Sequence, residues 1–175
     1  MTLRFVLDPD LTPELYDQLV TLWLDVSNAG GAVGFVAPVT EAEVRALAAP
    51  TFAGFTDGPD RLLVGYAGDR PVAALIFGDN RFGLKAHWCV LRRVMVHPDV
   101  QGRGYGAALM REAERLGRTL GWAALHVTVR DGLGLDAFYR GLGYREVGRL
   151  PGALRVAPGD DRDEVLMWLD LAPTG

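Results

Sequence analysis

The sequence predicts a mixed α/β fold: a mostly antiparallel sheet with one parallel pair of strands and helices on both faces. Short apolar runs typical of strands alternate with segments of helical periodicity, in the order β-α-α-β-β-β-α-β-α-β-β. A helix lies between the runs "VMV" and "LHVTV", and such a crossover connects parallel strands. The 175 residues suit one domain of ordinary size, so we expect residues 1–175 to form a single domain.

The first half of the chain contains one strand and two helices. The run "LRFVL" predicts the strand. Thr12 and Pro13 begin the first helix, because the hydroxyl caps it and a proline loses no hydrogen bond at the first position. The apolar stripe of this helix consists of Leu15, Leu19, Leu22, Trp23 and Val26. Thr40 and Glu43 form a capping box that opens a short second helix through Ala48.

The second half contains the remaining strands. Two strand-like runs around "GDRP" predict a hairpin, and "HWCVLRRVMV" predicts the next strand. A helix then extends to about Gly121, followed by the strand "AALHVTV". The segment "LDAFYRGLGY" predicts a short helix that ends at Gly143, and "YREVGRL" and "EVLMWLDL" are the closing strands.

Composition places the chain among globular proteins, with 49% hydrophobic and 23% charged residues. The formal net charge of -4 argues against nucleic acid as a partner. No apolar run approaches the roughly 18 residues of a membrane span, and the N-terminal residues lack the pattern of a secretory signal. We therefore expect a cytoplasmic protein. Cys89, the single cysteine, lies in an apolar run, which predicts a buried structural thiol.

The stretch "VMVHPDVQGRGYGAALM" places Gly102, Gly104 and Gly106 at the start of a strongly periodic helix. Each glycine inside a helix costs roughly 1 kcal/mol relative to alanine. The free N–H groups and the dipole of a first helical turn favour anions, and glycine leaves them accessible because it has no Cβ. The pattern predicts a phosphate-binding turn, to which Gln101 and Arg103 add side-chain donors.

Two common phosphate-binding motifs do not fit this turn. A P-loop requires a lysine directly after its last glycine, and none follows here. The dinucleotide fingerprint would need a glycine at position 107 or 109, where Ala107 and Leu109 stand, and no acidic residue closes the following strand about twenty residues on.

A third motif, [QR]-x-x-G-x-[GA], matches residues 101–106 at every constrained position. Farther along the chain, "LDAFYRGLGYREVG" is similar to the helix-to-strand element A-x-x-x-Y-x-x-x-G-F. With the order of elements, these motifs resemble the GNAT superfamily of acetyl-CoA-dependent N-acyltransferases over nearly the full length. The segments "GGAVGF", "LRRVMVHP" and "AFYRGLGYREVGRLPG" are further similar to the tabtoxin-resistance-protein group, whose members acetylate a small amine-bearing toxin.

The resemblance implies acetyl-CoA as the acyl-donor cosubstrate and no metal. The diphosphate is expected on the amides of the glycine turn, and the pantetheine arm beside the preceding strand. A bulge is expected to splay this strand from "LHVTV" and to open a cleft for the thioester. The residues assigned to the cosubstrate are Val94, Met95, Val96, Gln101, Gly102, Arg103, Gly104, Tyr105, Gly106 and Ala107.

The resemblance also implies direct attack of a neutral amine on the acetyl carbonyl. A backbone N–H near Met95 is expected to stabilise the oxyanion. Tyr139 matches the tyrosine of the helix-to-strand element and is the predicted catalytic acid for the departing thiolate. A phenol with a pKa of about 10 keeps its proton at neutral pH and can donate it there. The alternative role of Tyr139 is packing on a short helix.

The sequence does not identify the general base. The strand "HWCVLRRVMV" has no carboxylate, although family members often carry a glutamate there. His126 has a suitable pKa range and shares a strand face with Thr128 and Arg130 by alternation. His87, Asp131 and a water chain are equally open.

Two segments are expected to flank the acceptor: "GGAVGF", residues 30–35, and "LPGALRVAPGDDRD", residues 150–163. The second is predicted to be a loop that exceeds the usual connection length, which favours a functional role. Asp160, Asp161 and Asp163 in this loop could attract a cationic amine, although a solvated charge cluster is the simpler interpretation.

The predicted function is transfer of an acetyl group from acetyl-CoA to a primary amine of a small molecule. The alternatives are acetylation of a protein N-terminus or lysine, and a non-catalytic acyl-CoA-binding module. The missing strand carboxylate favours the module, whereas Tyr139 favours an enzyme. Both a monomer and a homodimer are compatible with the sequence.

Overall fold

The computed structural model of the protein describes residues 3–171. Their contacts divide the chain into two compact units. The first unit contains the described residues up to Asp79 and the segment Leu91–Ala113. The second contains Asn80–Val90 and the described residues from Glu114 onward. The single domain over residues 1–175 stays a prediction.

Over residues 3–171 the strands and helices follow one another in the predicted order, with short 3-10 turns at Gly83–Lys85 and Pro98–Val100 in addition. The elements are β1 (Arg4–Leu7), α1 (Pro13–Asn28), α2 (Glu41–Thr56), β2 (Arg61–Ala67), β3 (Arg70–Gly78), β4 (Trp88–Val96), α3 (Tyr105–Thr119), β5 (Ala124–Arg130), α4 (Leu135–Gly141), β6 (Arg145–Ala157) and β7 (Asp160–Asp170).

The strands are hydrogen-bonded neighbours in the order β1-β2-β3-β4-β5-β7-β6. In the first unit, β2 pairs antiparallel with both β1 and β3. In the second unit, β7 pairs antiparallel with β5 and β6, and the beginning of β4, Trp88–Val90, pairs parallel with residues 124–126 of β5. The predicted fold class, a mixed α/β sheet with one parallel pair, is confirmed. The residues of β4 that pair with β5, Trp88–Val90, precede the run "VMV" in the same strand.

Helix α1 supplies much of the core of the first unit. The Thr12 hydroxyl accepts a hydrogen bond from the Leu15 N–H at 3.3 Å, and Pro13 occupies the first turn, as predicted. The predicted apolar stripe is buried, and the Trp23 side chain is 0% exposed. The helix packs on β3 and on α2, so its stripe is covered from both sides.

Helix α2 begins as predicted and ends later. The Thr40 side chain accepts from the Glu43 N–H, and the Glu43 carboxylate accepts from the Thr40 N–H at 2.8 Å, which completes the capping box. The predicted end at Ala48 is wrong, because the helix passes through Pro50 to Thr56. Phe52 is buried in the core, with its ring centroid 4.9 Å from that of Tyr16. Such packing outweighs the loss of one helical hydrogen bond at proline.

In the second unit, the helices pack on one face of the sheet. A Cβ added at Gly117 of α3 would lie 2.7 Å from a methyl carbon of Leu171 and 3.4 Å from one of Leu125. Gly143, just after α4, lies against Leu169 in the same way. Leu125 and Leu169 are register partners in β5 and β7 and therefore share a face. Side chains at alternate positions point to the opposite face.

The segment 150–163 is a hairpin and not the predicted loop. Strand β6 continues to Ala157, and β7 begins at Asp160 after a turn at Pro158 and Gly159. Most side chains of the outer part of β6 are exposed. Hydrophobic periodicity is therefore weak there, and cross-strand pairing with β7 maintains the extended backbone.

Candidate active site

The glycine turn before α3 has the open geometry that the sequence predicts. Gly102 and Gly104 adopt φ values of 74° and 79°, which only glycine adopts readily. A Cβ added at either position would meet no atom within 4 Å, so the space beside the backbone is open. The Gly104 carbonyl accepts the first helical hydrogen bond from the Ala108 N–H at 3.0 Å. The amides of Gly106 and Ala107 therefore lie in the first turn, beyond reach of any earlier helical carbonyl.

Side chains around the turn hold its shape. The His97 Nδ1 atom accepts from the Asp99 N–H at 3.2 Å. The Gln101 side-chain amide donates to the Val96 carbonyl at 3.0 Å, and the Arg103 guanidinium donates to the Asp99 carbonyl at 3.3 Å. Gln101 and Arg103, predicted as phosphate donors, thus spend one donor each on positioning the turn. Both side chains are exposed and have further donors.

The strand residues assigned to the pantetheine arm lie just before the turn. Met95 is buried with 4% exposure, whereas Val94 and Val96 are half-buried. Their side chains contribute to packing, which leaves the backbone role unaffected. Arg93, immediately before them, adopts a φ of 50° and so interrupts the extended backbone where a bulge is expected. The splaying of β4 from β5 stays a prediction.

Tyr139 lies in the second unit with a second buried tyrosine that the sequence did not single out. The rings of Tyr139 and Tyr144 are 5.3 Å apart in an edge contact, and each residue is 4% exposed. Burial raises the pKa of Tyr139. Burial also raises the pKa of Tyr144, with smaller contributions from Tyr139, Glu114 and Cys89. The Tyr144 hydroxyl is buried and has no hydrogen-bond partner among the residues that the structure describes. Tyr144 occupies the phenylalanine position of the family's helix-to-strand element. This aromatic match is the sequence signal by which Tyr144 could have been identified.

Of the three side chains considered as general base, His126 has the most suitable surroundings. Its Nδ1 atom lies 3.0 Å from the Met167 carbonyl oxygen. A carbonyl can only accept, so Nδ1 carries the proton and Nε2 keeps its lone pair. Burial lowers the pKa of His126, against smaller opposing effects of Met167 and Glu164, so the ring favours its neutral form. Asp131, in contrast, forms an ion pair with Arg149 at 3.2 Å.

The two candidate catalytic side chains lie on opposite faces of the sheet in the second unit. His126 is the register partner of Trp168 and of Val90, and it alternates with Leu125. Gly143, which precedes Tyr144 in the chain, lies against Leu169, and Leu169 shares its face of the sheet with Leu125. The tyrosine pair therefore lies on the helix-covered face.

An aromatic cluster surrounds His126 on its face. The ring centroids of Trp88 and Trp168 lie 5.9 Å and 6.2 Å from that of His126, and 5.2 Å from each other. The Lys85 ammonium lies 5.6 Å from the Trp88 ring centroid. Sequence reasoning missed these tryptophans, because their proximity depends on strand register.

The segment 30–35 is attached to α1 by polar contacts. The indole N–H of Trp23 donates to the Val33 carbonyl at 2.9 Å. The Gly31 N–H donates to the Val26 carbonyl at 2.9 Å. Farther along the connection, the Asn28 side chain exchanges two hydrogen bonds with the backbone of Val39, at 2.9 Å and 3.0 Å. These contacts give the predicted acceptor segment a defined conformation.

The acidic side chains at 160–163 are paired with arginines at the surface, which agrees with the simpler interpretation of a solvated charge cluster. Asp160 pairs with Arg162, and Asp161 pairs with Arg155 through two hydrogen bonds of 2.7 Å and 2.8 Å. Asp163 accepts from the Gly152 N–H at 2.9 Å and from the Arg149 guanidinium at 3.2 Å. Each carboxylate already has a cationic partner across or along the hairpin.

The family model described as "Acetyltransferase (GNAT) family" matches residues 17–144, more than half of the chain. The chain belongs to the GNAT acetyltransferase family. Acetyl-CoA is the acyl donor of this family, in agreement with the predicted cosubstrate. The match does not extend to the tabtoxin-resistance-protein group, and that narrower membership stays a prediction.

Solved acetyltransferase structures share this fold at low sequence identity. A ribosomal-protein-alanine N-acetyltransferase from Brucella melitensis superposes with a TM-score of 0.75 at 20% identity, covering 97% of this chain and 99% of the other. An N-acetyltransferase from Staphylococcus aureus Mu50 gives 0.76 at 13% identity, with the same coverage. The protein yncA from Salmonella typhimurium, solved with its cofactor acetyl-CoA, gives 0.73 at 17% identity, covering 100% and 97%.

Within the described part of the chain, no helix is both long and apolar enough to cross a membrane.

Proposed function

We propose that this GNAT protein transfers an acetyl group from acetyl-CoA to a primary amine of a small molecule. The observation that carries the proposal is the turn at residues 101–107. Its two left-handed glycines stand beside open space, and the first amides of α3 follow directly. An oxyanion can approach such amides without meeting a side chain. The diphosphate is the part of acetyl-CoA that we assign to this open space.

Acetyl-CoA supplies an activated thioester, and the residues of the chain bind and orient it. We assign the pantetheine arm to the backbone of Val94, Met95 and Val96. The Val96 carbonyl already accepts from Gln101, so Val94 and Met95 are the main partners that we expect. The Met95 N–H is the proposed donor to the carbonyl oxygen, where negative charge develops during attack.

Tyr139 is the proposed acid of the reaction. As the amine nitrogen bonds to the acetyl carbon and the carbon–sulfur bond breaks, the sulfur gains negative charge and requires a proton. The raised pKa keeps the Tyr139 phenol protonated at neutral pH. An ordinary thiol has a pKa of about 8.5, so complete proton transfer from the phenol is uphill. Hydrogen-bond donation to the developing thiolate is therefore the larger contribution that we assign to Tyr139.

His126 is the proposed base that takes the one proton that the attacking nitrogen loses as the amide forms, and this proton balances the one that the departing thiolate gains. His126 lies on the face of the sheet opposite to Tyr139, so we expect the amine to approach the thioester from the His126 face. Its tautomer and its lowered pKa support this role, because Nε2 is unprotonated at neutral pH. General-base catalysis contributes roughly 10²- to 10⁴-fold. The variant His126→Asn retains a donor toward the Met167 carbonyl but has no basic nitrogen. We expect its kcat/KM at neutral pH to fall by about 10²-fold, with loss of the ionisation that His126 adds to the pH profile. An unchanged profile would exclude His126.

The proposed function is tested by incubating the protein with acetyl-CoA and a panel of primary amines and following free thiol. Thiol release that depends on one small amine, with mass-spectrometric detection of its N-acetyl product, supports the proposal. Transfer only to peptide N-termini or lysines would identify a protein acetyltransferase instead. Tight CoA binding without transfer to any acceptor would leave a non-catalytic acyl-CoA-binding module.

A further inference from the structure

The side chain of Arg93 carries a positive charge into the first unit without meeting a carboxylate. The residue is half-buried, and its Nε atom is buried without a hydrogen-bond partner. Across residues 3–171, no ion pair involves this guanidinium. The guanidinium lies over an aromatic face, with Cζ 5.0 Å from the Trp23 ring centroid, which gives a cation–π contact. Unsatisfied buried donors are rare in native proteins, and an absent ion or ligand is one of their usual causes.

The surroundings hold the guanidinium in place. Trp23 is immobilised by its hydrogen bond to the Val33 carbonyl and by the Phe35 ring, whose centroid is 5.8 Å away. Gly34 also adjoins the guanidinium: it adopts a φ of 105°, and a Cβ there would lie 2.9 Å from both Cζ and Nη1 of Arg93. A larger residue at position 34 would displace the guanidinium. The segment 30–35 and α1 thus form a fitted slot for this side chain.

Nothing in this slot stabilises the charge as an anion would. Burial lowers the pKa of Arg93, and the adjacent Arg92 guanidinium lowers it further, so the charged form is disfavoured there. Arginine nevertheless stays protonated at neutral pH. The backbone at Arg93 is also in the left-handed region, which a non-glycine residue adopts only under constraint. A buried charge and a strained backbone together are typical of a functional site.

We propose that the Arg93 guanidinium binds the carboxylate of the acceptor, which is therefore an amino-acid-like molecule bearing both an amine and a carboxylate. Guanidinium matches a carboxylate in a planar, two-point arrangement, so a pre-positioned arginine selects this group. The inference rests on the proposed acetyl transfer, because that function makes an amine-bearing acceptor the ligand.

The position of Arg93 in the chain favours the acceptor over CoA as the source of the oxyanion. The diphosphate is assigned to residues 101–107, and the pantetheine arm to Val96 back through Val94. Arg93 directly precedes Val94, so it lies at the thioester end of that strand. Its guanidinium also lies beside Gly34, part of the segment expected to flank the acceptor.

Binding of a carboxylate is tested without acetyl-CoA. The Nε–H resonance of Arg93 in a ¹⁵N-labelled sample is assigned by its absence in the variant Arg93→Met. Sodium acetate is titrated at constant ionic strength against sodium chloride. We expect a saturable shift of the Arg93 resonance with acetate and none with chloride. No shift with acetate, or a shift only with CoA or inorganic phosphate, overturns the proposal.

Selectivity is tested with pairs of acceptors, each an α-amino acid and the amine left on removal of its carboxylate. Arg93→Met is expected to lower kcat/KM for the amino acid by about 10- to 100-fold, the range of a lost charge-assisted hydrogen bond, and to change kcat/KM for the amine by less than about twofold. The matched variant Arg92→Met is expected to leave both values unchanged. Equal losses for both acceptors in Arg93→Met overturn the proposal.

Thermal unfolding separates ligand binding from a structural role. Replacing an uncompensated buried charge with an apolar side chain of similar length leaves the stability of the folded protein unchanged or raises it. We expect the Tm of Arg93→Met to equal or exceed that of the wild type, whereas a large fall in Tm would make Arg93 a structural residue. If the wild type acetylates no amine, the proposed function fails. The acetate titration still decides whether Arg93 binds an oxyanion.

Discussion

At the residue scale, the second unit contains two phenols with similar burial and different expected roles. Tyr139 matches the tyrosine of the family motif. Tyr144 stands where the motif has phenylalanine, and its additional hydroxyl has no hydrogen-bond partner among the described residues. Burial raises the pKa of both, so both remain protonated at neutral pH. Removing the hydroxyl of Tyr139 and that of Tyr144 in separate variants distinguishes a proton donor to the substrate from a packing residue.

Tyr139→Phe is expected to lower kcat by at least about tenfold while leaving the Kd of CoA unchanged, because the lost proton donor acts on the sulfur only as the bond breaks. Tyr144→Phe is the matched control and is expected to retain kcat. It should also raise stability slightly, because it removes an unsatisfied buried hydroxyl. Stopped-flow measurement of thiol release provides kcat, and calorimetry provides Kd. A loss of kcat in Tyr144→Phe alone would transfer the acid role to Tyr144.

Gly104→Val is expected to abolish CoA binding, because the branched side chain would fill the open space beside the amides of the turn. The substitution also strains the backbone, since Gly104 has a φ of 79°. Gly121→Val provides the matched control: Gly121 has a φ of 83° and equally open surroundings, but it lies at the other end of α3. Calorimetry should show unchanged CoA affinity in the control and none in Gly104→Val. Retained affinity in Gly104→Val would refute the phosphate-binding role.

At the element scale, local rules predicted where helices begin better than where they end. The caps of α1 and α2 depend on hydrogen bonds within three residues, and both are present as expected. The end of α2 depends on Phe52, which packs against Tyr16 of α1. The outer part of β6 likewise depends on its pairing with β7. Neither effect is visible in a short window of sequence.

Thr40→Ala removes the hydroxyl of the capping box and is expected to destabilise the protein by about 1 kcal/mol, which lowers Tm by roughly 2–4 °C in a chain of this size. Thr21→Ala is the matched control. Thr21 is exposed inside α1, where its hydroxyl bonds back to the Asp17 carbonyl at 3.0 Å, and alanine is the better helix former. Calorimetric unfolding should therefore show no loss in the control. Equal Tm values in the two variants would show that the box contributes nothing.

At the scale of the whole molecule, titration of named groups sets the dependence of stability on pH. The folded pKa of His126 lies below its ordinary value of about 6.5, so the unfolded chain binds this proton first. The contribution to stability is complete above about pH 6.5 and is lost as the pH falls toward the folded pKa. Asp160, Asp161 and Asp170 also have lowered pKa values through hydrogen bonds to neighbouring side chains, and their contribution is lost at more acidic pH.

His126→Asn is expected to flatten the decline in unfolding free energy that begins as the pH falls below about 6.5, while leaving in place the decline at more acidic pH that comes from the aspartates. Urea unfolding of the wild type and the variant over this pH range measures the difference, in which the other titrating groups cancel. Parallel curves would show that His126 does not titrate differently in the folded state.

The sequence by itself determined the order of strands and helices, their caps, the glycine turn and the resemblance to GNAT proteins. These features depend on residue types and on hydrogen bonds between near neighbours, which a linear pattern displays. Only the tertiary structure decided that His126 lies near Trp88 and Trp168, and that the guanidinium of Arg93 lies beside Trp23 and Gly34. Such contacts join residues far apart in the chain, because strand register and helix packing bring them together.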